Sequence, residues 1–115
     1  MNINLKLLAL QNNYYRRVIY TGIVQVVLMS LLPNQEIGLE KHDDTDQMLT
    51  IVSGNGVGSI GFKNIELYSD STMIVPKGIY HNVVNTGTFP LKLYTIYSRP
   101  EHEYDEAQPY KTDYH

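Results

Sequence analysis

Glu40, His42 and Gln47 share one short stretch, and His81 stands inside the segment Pro76-Lys77-Gly78-Ile79-Tyr80-His81-Asn82-Val83-Val84-Asn85. One carboxylate, two imidazoles and one amide oxygen make a donor set of intermediate hardness. Such a set suits one divalent transition metal, Mn, Fe, Co, Ni or Zn. An amide oxygen is a weak ligand, so Gln47 could bind the metal directly or only hold a metal-bound water. Bland roles stand beside these: His81 as a turn histidine bonded to a backbone carbonyl, and Glu40 as a surface carboxylate. Asp44 and Asp46 read as a solvated turn rather than as ligands.

The donors must be brought together by strands. Helical periodicity is almost absent, while β-branched and aromatic residues recur in short runs separated by Gly, Pro, Asn and Asp. The pattern predicts strands at residues 2–7, 18–21, 23–32, 37–42, 47–53, 57–62, 65–68, 72–75, 80–85 and 91–98, with a helix competing only at 7–15. On a strand, residues two apart face the same way, so Glu40 and His42 share a face. After a turn at 43–46, Gln47, Leu49 and Ile51 share a face of the next strand. Many short strands at this spacing predict an all-β sandwich or small barrel.

The residues also fit a known pattern in their spacing, and the chain resembles a single-domain cupin over roughly residues 18 to 98. The first motif of that family is Gly, five residues, His-x-His, three or four residues, Glu, six residues, Gly. It corresponds to Asn34, Glu40, His42, Gln47 and Gly54. The second, Gly, five residues, Pro-x-Gly, two residues, His, three residues, Asn, corresponds to Asp70, Pro76, Gly78, His81 and Asn85. Here the family's first histidine is Glu40, its glutamate is Gln47, and its opening glycines are Asn34 and Asp70. The ligand set still carries one carboxylate, moved to another corner. Asn and Asp tolerate left-handed backbone better than other non-glycine residues, so the turns are expected to survive.

The resemblance implies a cupin-type double-stranded β-helix, a jelly-roll barrel, as one domain spanning 1–115 with a C-terminal tail at 99–115. It implies a metal held by Glu40, His42, Gln47 and His81, and a small-molecule ligand. A metal-dependent enzyme acting on a sugar-like or small organic acid substrate, of isomerase or epimerase type, is one expectation. A non-catalytic small-ligand binding or sensor domain is the other, and fold does not choose between them. Cupins usually associate, so a homodimer is expected, with Ile3, Leu5 and Leu7 able to extend a neighbour's sheet.

Composition narrows the field further. The net charge of -3 and the lack of a basic run argue against nucleic acid and anionic membrane as partners. The absence of cysteine removes disulfides, thiolate metal sites and a cysteine nucleophile. Residues 1–7 alternate rather than forming a leader, and the apolar run at 23–32 is too short to span a bilayer, so a cytoplasmic protein is expected.

Four other features complete the reading. Gly56-Val57-Gly58-Ser59-Ile60-Gly61 matches the dinucleotide fingerprint GxGxxG, but β-like residues follow where that motif needs a helix. Glu101-His102-Glu103 reads as part of a solvated end, since neighbours on an extended segment point apart; the tail either crosses the barrel or is disordered. Tyr20, Tyr80, Tyr94 and Tyr97 could line a polar pocket, with packing in the barrel wall the stronger reading for any one of them. Arg16, Arg17, Lys92 and Arg99 are candidates to meet an anionic substrate.

Overall fold

The computed structural model describes residues 1–112. Within them lie one short helix, α1 (Leu5–Gln11), and nine strands: β1 (Arg16–Thr21), β2 (Gln25–Leu31), β3 (Gln47–Ser53), β4 (Gly56–Ile60), β5 (Lys63–Leu67), β6 (Thr72–Val75), β7 (His81–Val84), β8 (Leu91–Tyr97) and β9 (Ala107–Gln108). They form a six-stranded sheet, β6-β3-β8-β2-β1-β9, facing a three-stranded sheet, β5-β4-β7. All pairings are antiparallel. The expected all-β jelly roll is the observed one.

Two expected strands take other forms. Residues 2–7 start a helix: the Asn4 side chain accepts from the Leu7 N–H at 3.0 Å, capping a run of good helix formers. That removes the segment as an added strand for a neighbouring sheet. At 36–42 the chain pairs with β7 through isolated bridges at Glu36↔Val84 and Glu40↔His81 instead of a continuous ladder, because Gly38, at φ 104°, breaks the extended run between them. The GxGxxG segment runs through β4 into a hairpin with β5, and no helix follows it.

All seven residues of β2 are buried, which explains why its sequence is nearly continuous in apolar residues rather than alternating. Val27, Met29 and Leu31 face the barrel core with Leu49, Ile51, Leu91 and Leu93, while Leu28 on the outer face packs with Ala9 of α1 and Val52. Burying each large aliphatic side chain contributes roughly 1.5–3 kcal/mol. That stabilisation offsets a polar layer at one end of the barrel, where Gln25 and Gln47 both pair in register with Tyr97. Gln25, Gln47, Thr95 and Tyr97 are all buried. Among the described residues no helix is long and apolar enough to cross a membrane.

Candidate metal centre

Backbone bonds draw the two motifs together over this polar layer. The Glu40 N–H donates to the His81 carbonyl and the His81 N–H to the Glu40 carbonyl, each at 2.9 Å. The Gly78 N–H donates to the His42 carbonyl at 2.7 Å, so the Pro-x-Gly turn before His81 is clasped to the loop carrying His42. Asp46 caps the same turn, accepting from the Lys77 N–H at 2.8 Å. At the far end of β7, Asn85 closes its own turn by donating to the carbonyls of Leu31 and Phe89.

Ligand atoms of Glu40, His42 and His81 all lie within 4.8 Å of one another. Two ligands on opposite sides of an octahedral transition metal stand about 4 Å apart, so the group is close to coordinating dimensions. The His42 and His81 rings are 5.1 Å apart. His42 Nε2, His81 Nε2 and Gln47 Oε1 are buried and have no hydrogen-bond partner. The other ring nitrogens are engaged, His81 Nδ1 with the Ile79 carbonyl at 3.0 Å and His42 Nδ1 with Glu101 Oε1 at 2.9 Å. The Gln47 amide nitrogen donates to Thr95 Oγ1 at 2.9 Å and to the Tyr97 hydroxyl at 3.3 Å, which leaves Oε1 as the free end. These orphaned atoms, with the Glu40 carboxylate, are the donors a divalent cation would need.

Electrostatics differ between the two imidazoles. His42 Nε2 lies 3.2 Å from Glu40 Oε2. The Glu40 carboxylate favours the charged ring and, with Glu101, outweighs burial, so the pKa of His42 is raised. For His81 burial dominates over the Ile79 bond and the pKa is lowered, favouring the neutral ring that a metal requires. Burial pushes the Glu40 carboxyl up, but His42 and Arg16 more than offset it and the net shift is downward. A cavity of about 250 Å³ opens over Glu40 and His42, with Tyr15, Arg16, Glu101, His102 and Glu106 among its walls. Arg16 is held between Glu106, at 3.3 Å, and Glu40, at 4.0 Å.

A family model described as the cupin domain matches residues 27–97. The chain belongs to the cupin family. This cupin is 42% identical to the Bacillus subtilis protein YrkC over 118 residues, covering 96% of this chain and 63% of that protein. It therefore spans less than two thirds of YrkC. A protein of Acanthamoeba polyphaga mimivirus is 40% identical over 116 residues, covering 93% of this chain and 72% of that protein. The crystal structure of BH2720 from Bacillus halodurans superimposes with a TM-score of 0.92 at 35% identity, covering 95% of this chain and 88% of that one.

Of the four donors expected from the cupin spacing, Glu40, His42 and His81 converge as one group. Gln47 reaches His42 indirectly, through the Tyr97 ring, which lies 5.7 Å from the His42 ring. Among the four tyrosines, Tyr97 is the one buried at this centre; Tyr94 packs towards α1, and Tyr20 and Tyr80 are exposed. Of the four cations only Arg16 lines the cavity. Arg17 stacks on Tyr14, and Lys92 donates to Asn12 and Asn13.

The solvated reading holds for Glu103 but not for Glu101 and His102. Glu101 binds His42, and the His102 ring pairs with the Tyr97 hydroxyl at 3.2 Å. The tail crosses the barrel mouth. Its docking surface could have been glimpsed only in Gln25, a polar residue inside the apolar run of β2.

Proposed function

We propose that this cupin binds one divalent transition metal, Mn, Fe, Co, Ni or Zn, through Glu40, His42 and His81, with Gln47 Oε1 as a fourth donor. Its ligand would be a small hydroxylated molecule, sugar-like or an organic acid, in the cavity over Glu40 and His42. The observation that carries the reading is a pair of buried atoms without a hydrogen-bond partner, His81 Nε2 and Gln47 Oε1, beside a His42 Nε2 that meets only the Glu40 carboxylate, at 3.2 Å. Leaving a buried polar atom unpaired costs roughly 1–3 kcal/mol, and a cation held by Glu40, His42 and His81 would satisfy His81 Nε2 and draw on His42 Nε2. A metal bound there supplies Lewis acidity towards a carbonyl or hydroxyl oxygen of the ligand.

The chain's own residues bind and orient. Arg16 presents a fixed positive charge at the cavity wall, suited to a carboxylate or hydroxyl of the ligand. The Tyr97 hydroxyl is kept protonated because burial pushes its pKa far up, so it acts as a donor within the polar layer. Isomerisation or epimerisation is the enzyme reading.

A non-catalytic binding or sensor role is the second reading, favoured by one observation. Glu40, His42, Arg16, Glu101, His102 and Glu106 are engaged with one another or with Tyr97. Elemental analysis of untagged protein tests the metal, with a stoichiometric ion as the expected result and none as the overturning one. A thermal-shift screen of sugars and organic acids, followed by NMR of each stabilising compound, separates the readings. Conversion supports the enzyme, and stabilisation without conversion supports the binder.

A further inference from the structure

The segment after β8 is tied across the barrel mouth at several points. Gln25, with no exposed surface, turns its amide towards it: Oε1 accepts from the N–H groups of Glu101 at 3.0 Å and His102 at 2.8 Å, and Nε2 donates to the His102 carbonyl at 2.9 Å. Thr21 Oγ1 donates to the Tyr104 carbonyl, the Val18 N–H to the Glu106 carbonyl, and β9 pairs with β1. None of its described residues belongs to either apolar core cluster. Polar contacts without core burial mark a unit that opens at lower cost than the barrel beneath it.

The two candidate imidazole ligands are therefore oriented in different ways. His81 donates from Nδ1 to the Ile79 carbonyl, two residues away and part of the turn itself. His42 is oriented by Glu101, which is 59 residues away and carried on the strap. A carboxylate at Nδ1 keeps the hydrogen on that nitrogen, leaves the Nε2 lone pair facing Glu40, and makes the ring a better donor.

We propose that Glu101 is a positioning residue for the metal centre, and that docking of the strap and binding of a divalent metal at His42 are one coupled event. This rests on the metal reading above. When the strap lifts, His42 loses the partner that fixes its tautomer and the metal is held less tightly. Coupling is reciprocal, so whatever factor the docked strap adds to metal affinity, the metal adds to docking.

The test uses the full chain with zinc as the probe, by chelator competition, together with Glu101→Gln and Glu101→Leu. Glu101→Leu should weaken zinc binding roughly 10- to 100-fold, the usual effect of losing such a partner. Glu101→Gln keeps an acceptor without the charge and should fall between. Zinc should also slow amide hydrogen exchange at Glu101 and His102 in the unaltered protein by a matching factor, and not in Glu101→Leu. Thermal unfolding of the zinc-free variants, expected to stay near that of the unaltered protein, separates this effect from damage to the fold. If the unaltered protein binds no zinc, manganese, iron, cobalt or nickel, the metal reading falls and the coupling with it. If it binds zinc and both variants bind equally well, the coupling alone is overturned. Weaker binding by the variants with no zinc effect on exchange overturns it too.

Discussion

His81 Nδ1 faces the Ile79 carbonyl at 3.0 Å, while the opposite nitrogen of the same ring is buried without a partner. A neutral imidazole has one donor and one acceptor. With Nδ1 donating to a carbonyl, Nε2 must carry the lone pair. The ring is set as a ligand by its own turn before any ion arrives.

Metal should therefore act on stability through a nearly prepared site. At a free concentration 100 times the dissociation constant, the bound ion should stabilise the fold by about 2.7 kcal/mol. His42→Ala and His81→Ala should abolish that increment and lower affinity by roughly 100-fold or more, beyond the loss expected for an orienting partner. Thermal unfolding with and without a chelator measures both. An unfolding midpoint that ignores the chelator would count against the ligand set.

Among the described residues, Asn34 and Asp70 are the non-glycine residues with positive φ, at 70° and 72°, and they occupy the positions where both motifs open with glycine. Left-handed backbone costs most L-residues about 1–2 kcal/mol. Asp70→Val should thus destabilise by that amount, whereas Asp70→Gly should stay within about 1 kcal/mol of the parent. The exposed Lys6–Asp70 pair, at 3.8 Å, adds little to either figure. Urea unfolding of the two variants reads the difference, and equal losses would show that side-chain contacts rather than φ decide.

Acid should loosen the fold through His102. Burial first, and Arg16 second, lower its pKa from 6.5 to about 4, with Glu40 opposing and His42 adding to the lowering. The unfolded chain then takes up a proton near pH 6.5 that the folded chain refuses until about pH 4. Stability is full above pH 6.5, declines as pH falls across that window, and levels off below it. The loss attributable to His102 is roughly 3 kcal/mol. His42, with its raised pKa, acts in the opposite sense: its contribution is complete below pH 6.5 and is lost as pH rises above that. Comparing the parent with His102→Gln by urea unfolding at pH 7 and pH 4.5 isolates the effect. Parallel pH profiles for the two proteins would refute it.

Much of this was legible from spacing. Asn34, Asp70, Pro76, Gly78 and His81 announce turns whose geometry depends on nearest neighbours, and local chemistry is what a sequence records directly. The helix at Leu5–Gln11 was hidden because Ile3, Leu5 and Leu7 also alternate like a strand. Its Asn4 cap, followed by a run of strong helix formers, was the better signal. Glu101 was not legible as a partner of His42, since 59 residues separate them and an exposed tail carries no periodicity that names its docking surface.

Gly56 and Gly58 connect the discarded dinucleotide motif to the centre. A Cβ on Gly58 would lie 2.7 Å from Met73 Sδ, an atom of a flexible side chain that yields more readily than backbone although Met73 is buried in the core. A Cβ on Gly56 would collide with the backbone carbonyl of Val84, which cannot move unless β7 moves. That strand also carries His81 and is paired with β4 through Val57↔Val84 and Ile60↔His81. Gly58→Ala should cost about 1 kcal/mol, and Gly56→Ala about 2–3 kcal/mol from backbone displacement, although Gly58 faces the barrel core. Because the strain enters the strand of a candidate ligand, Gly56→Ala should also weaken metal binding while Gly58→Ala leaves it unchanged. Unfolding and zinc titration of the two variants measure both differences, and the reverse order of effects would mean that β7 is not the rigid support on which His81 depends.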